Sequence, residues 1–189
     1  NLSGKGDTDW DQVIIGGDPT IVSEVPGYYS LGVNKVAAKI AEGDAQPLLL
    51  MMWPKNSQAE SIKHFEEFTY RSADGAVIPM PVVPAGIAWN DLPAAKIDND
   101  FVHPTPNGAY VAAAAIYAQM VGQSASVSDY TYDDELADAA YDTVDGQKGG
   151  IHYSGPRTFM SPFKGADISD RILNYNHTGT SSENGILKG

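Results

Sequence analysis

The run "PLLLMMW", residues 47–53, is a continuous apolar stretch of bulky side chains, with Pro47 at its head and Pro54 directly after it. Seven residues without polar alternation are strand-sized, and a strand that is apolar on both faces belongs in the interior of a parallel sheet. Upstream, "QVII" (12–15) is a shorter run of the same kind, stopped by the turn formers Gly16-Gly17-Asp18-Pro19. Between the two, "SLGVNKVAAKIAEG" (30–43) places Val33, Val36, Ala37 and Ile40 at helical spacing, with Gly43 positioned to end the helix. Downstream, "SQAESIKHFEEFTYRSA" (57–73) carries Ile62, Phe65, Phe68 and Thr69 on one face, and Ser57 with Glu60 matches a capping box. "GAVIPMPVVPAG" (75–86) reads as a third strand whose prolines place it near an edge.

The pattern therefore predicts strands at 12–15, 48–53 and 76–83, and helices near 30–42, 58–71 and 108–121. In the last helix Val111, Ala114, Ala115, Ala118 and Val121 form the inner stripe, and small alanines there let a helix lie close against a sheet. Alternating strands and helices with uniformly apolar strands imply right-handed crossovers and a parallel sheet covered on both faces. In such sheets chemistry collects at the carboxyl ends of the strands. Three places are expected there: the turn Gly16–Asp18, the segment after Trp53, and the loop before the 108–121 helix.

The whole chain narrows the function class. Its 189 residues suffice for one domain with a sizeable core, and 42% hydrophobic with 19% charged residues is globular. A net charge of −12 argues against nucleic acid or an anionic membrane as partner, because both need clustered Lys and Arg. No apolar run reaches the length of a membrane span. There is no cysteine, which removes disulfides and thiolate metal sites, and His64, His103, His152 and His177 show no zinc-ligand spacing. No cofactor or metal is called for. "SVSDYTYDDELADAAYDTVDG" (126–146) carries seven acids and no base. It reads as a solvated acidic helix with Leu136, Ala139, Ala140 and Val144 inward, since the ordered ligand alternation of an EF-hand is missing. Residues 146–189 are read as a loop-rich extension or a connection to another unit, following a domain at 9–145.

Function turns on "DNDFVHPTPNGAYVAAAAIYAQM" (98–120), where Asp100 stands three residues before His103 and a Pro- and Gly-punctuated turn leads into the alanine-rich helix. An Asp hydrogen-bonded to one imidazole nitrogen fixes the tautomer, so that the other nitrogen can deprotonate a serine hydroxyl. The plainer alternative is an Asp that caps a turn beside an ordinary loop histidine. The stretch closely resembles the last sequence block of the SGNH (GDSL-like) hydrolases, in which D-x-x-H, Pro and a Gly-led apolar helix carry the triad acid and base. "DWDQVIIGG" resembles the strand of that family's oxyanion block, "PLLLMMWP" its next strand, and "GAVIPMPVVPAGIAW" the segment leading to the D-x-x-H loop. The resemblance covers residues 9–145. It implies a flavodoxin-like three-layer α/β/α fold, Asp100 as triad acid, His103 as general base, and an oxyanion region at Gly16, Gly17 and Asp18. The substrate would be a small-molecule or carbohydrate ester.

Two positions depart from that pattern. Asp18 stands where the family places an Asn donor, and an ionised carboxylate there would repel a developing oxyanion. The G-D-S nucleophile block is not found upstream of residue 9, and Ser3 lies in no strand-like run. In a circularly permuted chain Ser181 or Ser182, after "ILNYNHTGTSS", would be the nucleophile; a Ser-rich surface loop is the ordinary reading. The chain is accordingly expected to lack its first strand. An N-terminal segment of the same product, a companion chain, or residues 171–176 folding back would complete the sheet. The competing reading is a non-catalytic SGNH-like binding or assembly module. A flavodoxin-like nucleotide binder is weaker, because no Gly-rich phosphate loop follows a strand.

Overall fold

The computed structural model describes residues 10–54, 59–78, 80–92, 103–129 and 131–147. Its elements run β1 (Gln12–Ile15), α1 (Pro19–Glu24), α2 (Pro26–Ala41), β2 (Gln46–Leu50), α3 (Ala59–Asp74), β3 (Val82–Val83), α4 (Ala85–Asn90), α5 (Pro106–Val121) and α6 (Asp134–Gln147), with a single 3-10 turn at Ala125–Val127. The class is α/β: a parallel three-stranded sheet in the order β1-β2-β3, with helices packed around it. β1 and β2 pair in parallel, Gln12 opposite Gln46 through Ile15 opposite Leu49. On the other side the Leu49 amide donates to the Pro81 carbonyl and the Met51 amide to the Val83 carbonyl. Both partners advance by two together, which is the parallel sense.

These bonds explain how β2 tolerates a proline. The amides of Leu49 and Met51 face β3, whereas that of Gln46 faces β1, where it donates to the Asp11 carbonyl. Alternation along the strand puts Pro47 on the β3 side, one step before the first β3 bond, so its missing N–H costs no described ladder bond. β3 itself is far shorter than the expected 76–83. Pro81 and Pro84 bracket the two valines and remove a donor at each end, and only Val82–Val83 form strand.

The described residues fall into two compact units, residues 10–49 with 70–78 and 80–81, and residues 50–54, 59–69, 82–92, 103–129 and 131–147. In the first, Ile15, Val22, Tyr29, Leu31, Val33, Ala37, Ile40, Leu48 and Leu49 are buried. α2 starts earlier than 30, at Pro26, and is preceded by α1; each helix carries proline in its first turn, where a missing N–H has no cost. Gly43 is not the left-handed residue that follows α2. Asp44 takes that conformation at φ 61°, which Asp tolerates better than most residues with a side chain. Two of its buried serines and a buried asparagine pair across the unit. Ser30 and Ser72 share a hydroxyl–hydroxyl bond of 2.6 Å, and Asn34 donates to the Ser30 carbonyl at 2.9 Å while accepting from the Val77 amide at 2.7 Å.

In the second unit α5 packs on α4, α6 and β3. Its buried face is Gly108, Val111, Ala112, Ala114, Ala115 and Ala118. Val121 is not part of it: at 52% exposure it has turned to solvent just before Gly122 ends the helix at φ 79°. α6 faces inward through Ala137, Ala140 and Val144. Of the expected stripe, Ala140 and Val144 face inward; Leu136 is half-buried and Ala139 exposed, and Ala137 is buried instead. α6 begins at residue 134 rather than 126, because Ser124 caps the 3-10 turn instead.

Gly86, in the first turn of α4, is fully surrounded. A Cβ there would run into the backbone carbonyl of Met52 and the Met51 side chain at 3.1 Å. The α4 backbone can therefore approach the chain leaving β2 only through a glycine. Gly86→Ala is expected to destabilise the protein by about 1–3 kcal/mol, the usual cost of overpacking a rigid neighbour. Urea unfolding would show this as a lower midpoint at unchanged slope, and an unchanged midpoint would contradict it.

Candidate functional site

The site begins with the chain that enters α5. Thr105 is its N-cap, in extended conformation, with its hydroxyl accepting from the Gly108 amide at 3.2 Å. Pro106 occupies the first turn with φ already fixed for a helix. Pro104 restricts His103, because a residue before proline is pushed out of the helical region. The run His103-Pro-Thr-Pro thus stiffens the approach to the helix, and His103 lies exposed two residues before the cap. Asp100 lies outside the described residues, as do Ser3, Ser57, His152, His177, Ser181, Ser182 and the expected strand at 171–176. The structure therefore places the candidate base and not its candidate acid.

The oxyanion candidates come directly after β1. Gly17 has no room for a side chain: a Cβ would meet the ring of Tyr29 at 2.6 Å, so this ring of α2 lies directly against the turn. Asp18 caps α1, its carboxylate accepting from the Thr20 amide at 2.7 Å. A carboxylate that accepts cannot donate to an oxyanion, so the side chain of Asp18 does not replace the amide of an Asn.

The start of α5 is held from the other side by an aromatic and hydroxyl network. The Tyr110 and Tyr132 rings lie 5.2 Å apart at 57°. The Tyr132 amide donates to the Tyr110 hydroxyl at 3.3 Å, the Tyr110 and Thr131 hydroxyls are 3.2 Å apart, and the Thr131 hydroxyl donates to Asp134 at 2.8 Å. The Tyr132 hydroxyl reaches Asn107 at 3.5 Å. Farther along, Ser124 and Ser126 both donate to Oδ1 of Asp138, at 2.6 and 2.7 Å, and fasten the 3-10 turn to α6. Sequence periodicity passes over contacts of this kind, since serines and tyrosines between elements have no period.

The carboxyl edge of β2 and β3 holds a pair to which no sequence pattern points. Trp53, three residues past β2, stacks on Trp89 of α4 with centroids 5.8 Å apart and planes at 17°. Trp89 is fully buried and Trp53 half-buried. The one signal in the sequence is a tryptophan closing the apolar run 47–53; the strand expected at 48–53 in fact ends at Leu50, which leaves Trp53 beyond it. His64 is a different case: it lies on α3 against Phe68, 4.4 Å between centroids, and beside Phe65. Among the described residues no group of acids and histidines is arranged to hold a metal ion, and no helix is long and apolar enough to cross a membrane.

The hydroxyls of Ser124 first, and of Ser126 second, hold the Asp138 carboxyl below its ordinary value of 3.8, against a smaller opposing effect of burial. A lowered folded-state value adds stability above the unfolded value, and that contribution is lost as pH falls through the folded one. Wild type is therefore expected to lose stability more steeply than Asp138→Asn on acidification below 3.8. Urea midpoints measured against pH check this, and parallel curves would contradict it.

No family model matches the chain, and neither a curated protein nor a solved structure aligns with it.

Proposed function

We propose that the chain is an SGNH-like serine ester hydrolase, with His103 as general base, Asp100 as the acid that orients it, and a neutral small-molecule or carbohydrate ester as substrate. The observation that carries the reading is His103 itself. It is exposed, it is stiffened by Pro104, and it stands immediately before a capped helix of an α/β unit, within the sequence D-x-x-H-P-x-P-x-G. A general base must reach solvent-borne substrate and must be held in place; the exposure of His103 supports the first, and the restriction of its backbone by Pro104 supports the second. In the proposed chemistry His103 takes the proton of a serine hydroxyl as the serine attacks the ester carbonyl. It then returns that proton to the leaving alkoxide, and a water molecule repeats the sequence on the acyl-enzyme. Backbone amides, rather than the Asp18 carboxylate, would receive the oxyanion. A flavodoxin-like three-layer arrangement is part of the same proposal.

One observation favours a second reading, a binding or assembly module of the same fold that performs no hydrolysis. Asp18 is committed to capping α1 and brings negative charge to the candidate oxyanion turn.

The two readings part in one experiment. With the protein as purified, a fluorophosphonate probe is expected to label one serine, which peptide mapping then identifies, and His103→Ala is expected to abolish the labelling. The same variant should lose several orders of magnitude in kcat on phenyl acetate, with an unchanged urea midpoint. An unlabelled wild-type protein without esterase activity would select the non-hydrolytic module. Near-normal turnover by the variant would remove His103 as the base.

A further inference from the structure

We infer that Trp53 is the ligand-stacking residue of the proposed ester site, and that it receives one face of the ring of a neutral ring-bearing ester; this rests on the hydrolase reading above. Its position comes first. β2 ends at Leu50, the last described ladder bond runs from the Met51 amide to the Val83 carbonyl, and Trp53 stands two residues farther along. It is therefore at the carboxyl edge of two parallel strands, where ligands of open α/β sheets are bound.

Preorganisation comes second. One face of the Trp53 indole lies against Trp89, nearly parallel at 17°, and Trp89 is itself wholly enclosed in the core. The backbone on both sides of the pair is fixed by the approach of Gly86 in α4 to the Met52 carbonyl, one residue before Trp53 and three before Trp89. An indole backed by a rigid indole has lost its rotamer freedom on folding. A ligand that lands on it need not supply that ordering cost again. Packing alone would be better served by burying Trp53 completely, yet it stays half-buried beside a neighbour that is sealed.

Charge and shape then select the ligand. The chain carries −12, which disfavours anionic ligands. A broad indole face offers dispersion and quadrupolar attraction to a ring of similar width, and little to a short alkyl chain. Two sources supply such a ring, the pyranose of a sugar ester and the aryl group of an aromatic ester, and they share the same requirement.

The test compares three acetates by titrating the acid released: glucose pentaacetate, phenyl acetate, and ethyl acetate as the ring-free reference. Trp53→Ala is expected to reduce kcat/KM on one ring-bearing acetate about tenfold more than on ethyl acetate, near the upper end of a stacked pair's contribution. The excess loss should lie in KM, and Trp53→Phe, which keeps a smaller ring, should recover most of it. The ring that suffers identifies the source. Equal losses on all three acetates, or none, would overturn the stacking role. If wild type hydrolyses none of them, the hydrolase reading has failed and the stacking role is read separately. The Trp53 indole N–H resonance, identified by its absence in Trp53→Phe, is followed on titration with methyl glucoside and with benzyl alcohol. A saturable shift supports the binding role, and no shift with either compound overturns it.

Discussion

Everything in this fold depends on β2 being hydrogen-bonded along both of its edges. Successive positions along it face one neighbour and then the other, so that the Gln46 amide serves β1 while those of Leu49 and, just past its end, Met51 serve β3. A strand in that position exposes neither edge, so both of its faces can be apolar, and Leu48, Leu49 and Met51 are all buried. The same alternation decides where a proline can stand. Pro47 one residue later would remove a bond to β1, and two later it would remove the Leu49 bond to β3.

From that strand the chain leaves at the carboxyl edge of the sheet. Met51 continues the ladder, Met52 presents its carbonyl to Gly86, and Trp53 lies on Trp89. Three consecutive residues thus pass from sheet pairing to a helix contact to a ring stack. A single glycine sets the distance of the whole arrangement. Alanine plays the corresponding part where α5 packs on α6, since the buried residues of α5 include Ala114, Ala115 and Ala118 and those of α6 include Ala137 and Ala140. Small side chains on both partners bring the helix axes close, and the acidic residues of α6, Asp134, Glu135, Asp138, Asp142 and Asp145, remain exposed.

The sequence is most legible where one physical requirement acts alone. "QVII" needs only burial, and β1 spans the residues expected of it. The helix over 108–121 has a cap, a proline in its first turn, an apolar stripe and a terminal glycine, and α5 differs from it by two residues at the start. Legibility fails where two requirements compete. In 76–83 β propensity argues for a long strand, while Pro79 and Pro81 inside it and Pro84 directly after it withhold the donors such a strand needs, and the donors decide. Asp18-Pro19 reads as a turn, but Asp before Pro is also a helix N-cap with proline in the first turn, and the chain continues there into α1. The ends of the amphipathic stripes fail for a third reason. Val121 and Ala139 belong to the apolar pattern by type, yet a helix that is about to end, or that packs through alanines, shifts which positions face inward. The Trp53–Trp89 stack lies beyond pattern reading altogether, because it joins residues from separate elements whose approach is set by Gly86.

The candidate site shows the same competition at the level of chemistry. Stability asks the turn after β1 for a helix cap, and Asp18 supplies one at 2.7 Å. Acyl transfer asks the same turn for a donor facing a growing negative charge. One side chain cannot meet both demands, since a carboxylate engaged as an acceptor adds charge of the wrong sign. The hydrolase proposed here would draw its oxyanion stabilisation from main-chain amides, whose donors do not depend on side-chain identity. The N–H groups of such a turn are set by backbone conformation, and here that conformation is constrained on both sides. Tyr29 lies against Gly17, leaving no room for a side chain, and Pro19 locks the first residue of α1. Asp18 adds a further constraint there, because its bond to the Thr20 amide ties the turn to the first residues of α1.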